Sequence, residues 1–173
     1  INLLFNASEG LVKDLSESYS GRLGDGSLQS ASALCKLLEG ELRKRDKIVL
    51  IAHSQGGAIV FHAIKKLLER LAKNEQASDM LSKLELYTFA YIMPDVSLPE
   101  NMHAECFVNH FDLISKINPH GKLNAQAPIQ CFVHEGGRGH LLNSHYLPSF
   151  KTGKFHTKQG VGSRLTQYLS HRI

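Results

Sequence analysis

The chain has 173 residues, of which 42% are hydrophobic and 21% charged, with a formal net charge of +4 and an isoelectric point near 9.0. That length and balance suit one globular domain, large enough to bury a core without disulfides or a structural metal. No apolar run approaches the roughly 18 residues of a membrane-spanning helix. The basic residues fall in short clusters such as Arg43-Lys44-Arg45 and Lys65-Lys66, which read as solvated helix surface. No stretch interleaves aromatic with basic residues and Trp is absent, so no nucleic-acid partner is expected.

In chain order, INLLF (residues 1–5) reads as a strand, and Leu11, Val12, Leu15 and Tyr19 mark a short helix after a polar start at Asn6 or Ser8. GRLGDG (21–26) breaks it. Ser27 can cap a second helix whose apolar face is Leu28, Ala31, Leu34, Cys35, Leu38 and Leu42, ending near Asp46. A short Ile/Val/Leu run from Ile48 then reads as a buried parallel strand, and Val60, Ile64, Leu67, Leu68 and Leu71 have the spacing of a helix that reaches about Asn74. Three more strands are expected: LELYTFAYI (84–92), leading into Pro94 and Asp95; AECFVNHF (104–111), leading into Asp112; and IQCFVHE (129–135), running into GGRGH. The tail RLTQYLSHRI is helix-like. Apolar strands separated by helices or long crossovers predict an α/β fold, a mostly parallel sheet of about five strands covered on both faces.

Cys35, Cys106 and Cys131 are odd in number, lack C-x-x-C spacing and each lie in an apolar segment. They are expected as small buried hydrophobes rather than disulfide partners, a usage that favours a reducing, cytoplasmic compartment. Asn6-Ala7-Ser8 matches a glycosylation sequon, but no secretory signal accompanies it.

The chemistry is concentrated around IVLIAHSQGGAIV (48–60). Ser54 falls on the turn from strand to helix, and Ala52-His53-Ser54-Gln55-Gly56 fits the nucleophile-elbow pattern G-x-S-x-G with alanine at its first position. Small residues two before and two after the serine allow a sharp turn that presents the hydroxyl at its tip. The following helix aims its positive end and free N–H groups there.

Together, AHSQGG, VNHFDLIS and GHLLNSHYL resemble the elbow, acid loop and histidine loop of lipase/esterase-like members of the α/β-hydrolase superfamily, over residues 1 to about 150. The resemblance implies nucleophile, acid and base in that chain order, each after a successive strand. It assigns these roles to Ser54, Asp112 and His140. Asp95 is the alternative acid, after the preceding strand, and His145 the alternative base; an aspartate at 112 could also simply cap the next turn. GGRG before His140 reads as a flexible loop that could carry the ring over Ser54, and the N–H of Gln55 would supply one oxyanion donor. His53, next to the nucleophile, should point away from it and pack or shape the pocket.

The resemblance also implies a single domain over 1–173 that lacks its N-terminal strands, because only one strand precedes the elbow strand and the loop that carries the second oxyanion donor has no counterpart. Residues 1–5 would then lie beside the elbow strand with an exposed edge open to self-association. The implied activity is cleavage of carboxylic esters, lipid acyl esters among them, through an acyl-enzyme, with no metal or organic cofactor. Two other classes stay open. One is a hydrolase-like domain that binds a protein or lipid without turning it over. The other is a metal-dependent hydrolase, against which the ten histidines show neither H-E-x-x-H nor H-x-H grouping.

Overall fold

The computed structural model describes residues 25–91, 98–116 and 129–169. The strand expected at 1–5, the helix after it, the sequon, Pro94 and Asp95 lie outside the described residues.

Strand β1 (Ile48–His53) follows helix α1 (Asp25–Leu42) and leads through Ser54 into α2 (Gln55–Leu71). A short α3 (Ala77–Ser82) precedes β2 (Leu84–Phe89); β3 (His103–Asn109) leads to the single turn α4 (Leu113–Lys116). After β4 (Ile129–His134) come a π-helical turn (Leu142–Tyr146), α5 (Leu147–Lys151) and a 3-10 turn (Arg164–Tyr168). Ser27, expected as a cap, lies inside α1 and is buried. The helix-like tail is a 3-10 turn as far as it is described.

The four strands among the described residues form one sheet in the order β1-β2-β3-β4, and all three pairings are parallel. Side-chain alternation divides two cores between its faces. Ile48, Leu50 and Ala52 of β1, Leu84 and Leu86 of β2, and Ala104 and Cys106 of β3 pack under α1 and α2. The opposite face carries Tyr87, Phe89, Phe107 and Phe132, covered by Tyr146, Phe150, Phe155 and Leu165 of the C-terminal segment. Phe89 and Phe107 stack at 4.7 Å, and Phe107 and Phe132 at 5.1 Å. They occupy matched positions on neighbouring strands.

Among the described residues, coverage of both faces therefore holds for β2 and β3 but not for β1, where Val49 and Ile51 are 37% and 55% exposed. Among the described residues, the layer on that face comes from the C-terminal segment, which packs on β2 to β4 and meets β1 at His53.

Two of the three cysteines are not free, contrary to expectation. Cys106 and Cys131 face each other in register across β3 and β4, with Cα atoms 4.8 Å apart, and are joined as a disulfide; Cys35 alone is free and buried. Spacing along the chain does not reveal this pair, because it depends on the register of two strands separated by a long crossover. The inference of a reducing compartment loses its basis.

Two carboxylates sit inside the aromatic face. Glu85 accepts from the hydroxyls of Tyr87 and Tyr168 and pairs with Lys47 at 3.0 Å. Glu105 accepts from the Ser163 hydroxyl and the Arg164 backbone N–H. Burial disfavours the Glu85 charge, but hydrogen bonds from Tyr168, Lys47 and Tyr87 outweigh it and bring the carboxyl down to about 2. These contacts anchor the 3-10 turn to the starts of β2 and β3.

Candidate active site

Parallel strands end on one edge of a sheet, so residues that follow them can converge there. Ser54 follows β1 directly with φ 53° and ψ −125°, a conformation costly for a residue with a side chain. The surroundings hold it there: its N–H donates to the Phe89 carbonyl at 2.9 Å, and its own carbonyl accepts from Gly57 at 2.8 Å. Ala52 fits the first position of the elbow, since a Cβ built on Gly56 would lie 4.0 Å from the Ala52 Cβ, an ordinary contact. Gly57 has no such latitude, because a Cβ there would overlap the buried Tyr91 side chain.

The loop after β4 brings His140 to the serine. Its Nε2 lies 2.7 Å from Ser54 Oγ and its Nδ1 2.8 Å from Asp112 Oδ2. An ionised carboxylate only accepts, so Nδ1 carries the proton and Nε2 is left to accept from the serine hydroxyl. Although its sequence reads as flexible, the loop is pinned. Asn109 Nδ2 donates to the carbonyls of Gly139 (3.1 Å) and Arg138 (3.4 Å), and Phe111 N–H donates to the Gly137 carbonyl. Gly139 has φ 78°, and its Cα lies so close to the His145 ring that a Cβ would clash.

His53 does more than pack. Its Nε2–H donates to the His140 carbonyl at 2.7 Å, tying the residue before the nucleophile to the loop that carries the imidazole. Burial holds the His53 imidazole below its usual range, so it serves as a neutral donor.

Asp112 is 2% exposed, and each of its oxygens takes two donors. Oδ1 accepts from the N–H groups of Ile114 (3.0 Å) and Ser115 (3.3 Å), and Oδ2 from His140 Nδ1 and the Tyr146 hydroxyl (2.7 Å). It therefore caps α4 with one oxygen while it orients His140 with the other. Burial opposes the charge, but the bonds from His140 and Tyr146 prevail and hold the carboxyl below its usual range.

Of the residues singled out in the sequence, Ser54, Asp112 and His140 are brought together in one hydrogen-bonded run. Gln55 opens α2 beside the serine. His145 turns to the backbone, where its Nδ1 accepts from the Leu141 N–H. Sequence reasoning gave no role to Tyr146 or Asn109, although they lie within GHLLNSHYL and VNHFDLIS. Among the described residues no three His, Cys, Asp or Glu side chains are grouped to hold a metal ion, and no helix is long and apolar enough to cross a membrane.

Residues 28–93 match the family described as "Putative serine esterase (DUF676)". The matched segment contains β1, Ser54, α2 and β2, while Asp112 and His140 fall beyond it. No curated protein matches the chain. Among solved structures, the triacylglyceride lipase of Rhizomucor miehei is similar at 24% identity and a TM-score of 0.39, over 63% of this chain and 43% of the lipase. This chain thus spans less than half the length of that enzyme.

Proposed function

We propose that the chain is a serine hydrolase that cleaves carboxylic esters, lipid acyl esters among them, through an acyl-enzyme. The observation that carries the reading is the run from Ser54 Oγ through His140 to Asp112, with both bonds at 2.7 to 2.8 Å, at the tip of a strained turn. A serine hydroxyl is a poor nucleophile until an imidazole takes its proton. Here the Ser54 oxygen attacks the ester carbonyl as its proton passes to His140 Nε2, and Asp112 stabilises the resulting imidazolium. The N–H of Gln55, at the positive end of α2, donates to the oxyanion of the tetrahedral intermediate. The alkoxide leaves with the proton held by His140, giving the alcohol and an acyl ester on Ser54. Water, deprotonated by His140, then attacks that ester, and the carboxylic acid and free serine result.

Labelling with a fluorophosphonate, followed by peptide mass mapping, tests the reading. The probe is expected on Ser54, and Ser54→Ala is expected to lose both labelling and hydrolysis of p-nitrophenyl esters while its circular dichroism is unchanged. Full turnover by Ser54→Ala, or labelling confined to another residue, would overturn the mechanism. A series of p-nitrophenyl esters of increasing chain length then ranks the acyl groups.

A further inference from the structure

Tyr146 is fully buried, and its ring belongs to the aromatic core. It stacks on Phe155 at 6.0 Å and meets Phe89 edge-on at 6.2 Å. Packing of that kind accounts for a ring at this position but not for a hydroxyl. The hydroxyl does two things. It accepts from the Asn109 N–H at 3.1 Å, at the end of β3, and donates to Asp112 Oδ2 at 2.7 Å.

We propose that Tyr146 is a positioning residue for the triad: its hydroxyl fixes the Asp112 carboxylate so that Oδ2 faces His140 Nδ1, and it ties that carboxylate to the end of β3. The inference rests on the serine-hydrolase reading for its effect on turnover, but not for its effect on the carboxylate.

The four donors to Asp112 are divided evenly between its two oxygens. Oδ1 is committed to two backbone N–H groups in α4 that cannot turn away. Rotation of the carboxylate would break those bonds and both bonds to Oδ2, so Tyr146 and the α4 amides together leave one orientation. Burial and the neighbouring Asp112 charge raise the Tyr146 phenol above its usual range, so it remains a protonated donor wherever the protein is folded and active. It lies six residues after His140, at the end of the π-helical turn Leu142–Tyr146, and π turns recur at functional sites. One short segment thus carries both the imidazole and the group that steadies its partner.

The test is Tyr146→Phe, which keeps the ring and removes the oxygen. The kcat for p-nitrophenyl esters is expected to fall about ten- to thirtyfold with KM within about twofold, because a bond to a charged group is lost at a residue that does not touch substrate. Two signals independent of turnover should move with it. The carbon-13 carboxyl titration of Asp112 shifts to higher pH, and the His140 Nδ1–H proton resonance moves downfield as the less-shared carboxylate draws it closer. Phe155→Leu, which loosens the same stack, should lower Tm and leave both signals in place. Incorporation of 3-fluorotyrosine at position 146, a stronger donor that preserves the fold, should move the Nδ1–H resonance upfield. Folded Tyr146→Phe with unchanged kcat and unchanged signals overturns the proposal, as does a fluorotyrosine shift of the same sign as that of the phenylalanine. If the parent protein fails to react with fluorophosphonate yet both signals move as expected, the hydrolase reading falls and the positioning role stands.

Discussion

Replacement of Asp112 by asparagine tests the site with almost no change of shape. The asparagine amide must place one acceptor and one NH2 group where the carboxylate offered two acceptors, each facing two donors. The Oδ1 side is closed to an NH2, because the N–H groups of Ile114 and Ser115 are fixed by the turn that follows. The NH2 therefore takes the Oδ2 side, toward His140 Nδ1 and the Tyr146 hydroxyl. His140 can accept it only by moving its own proton to Nε2, where it then points at Ser54 Oγ instead of accepting from it. The serine loses its base, as it does on the same substitution in a Ser-His-Asp protease, and kcat should fall on the order of 10⁴-fold, about 5.4 kcal/mol of transition-state stabilisation. Turnover of a p-nitrophenyl ester and the rate of fluorophosphonate labelling should drop together, while circular dichroism reports an intact fold. Folded Asp112→Asn that keeps more than about a tenth of the parent kcat would refute the assignment of the acid, because tautomer inversion costs far more than that.

Gly57→Ala should lower stability by about 1 kcal/mol and slow labelling of Ser54, since the overlap with Tyr91 costs more than the gain in helix propensity and displaces the start of α2; an unchanged or higher Tm would argue against that close contact. Glu85→Ala should cost about 2 kcal/mol by leaving the buried Tyr87 hydroxyl and the half-buried Tyr168 hydroxyl without their acceptor, yet leave the labelling rate unchanged because Glu85 sits at the far end of β2 from Ser54; thermal melts paired with labelling check both halves. Stability should also decline as pH falls from 7 toward 5. Burial depresses the imidazoles of both His53 and His134, so the unfolded chain takes up these protons first, and their stabilising effect, complete above the ordinary value near 6.5, is lost as pH drops through the lower folded values. His53→Gln should flatten the slope, leaving the share due to His134, and a Tm that rises on acidification would contradict the sign.

What the sequence determined by itself is local. A strand of Ile, Val and Leu, a small residue, a serine, two glycines and a helix with a clean apolar stripe specify the strand-to-helix turn at Ser54 within some twenty adjacent positions, since turn geometry and helix period are properties of neighbours. The order of strands and the loops bearing Asp112 and His140 were also legible, because apolar runs and their polar ends mark where a parallel sheet begins and stops. The choice between His140 and His145 was not. It depends on the path of the loop, set by Asn109, His53 and the tight contact at Gly139, all of them bonds and packing made across the fold. The same holds for the pairing of Cys106 with Cys131, which needs the β3–β4 register. Glu85 and Glu105, charges inside apolar strands, were a signal that partners would have to be supplied from elsewhere. Tyr146 gave none, because a buried tyrosine reads as core until the structure shows which acceptor its hydroxyl has found.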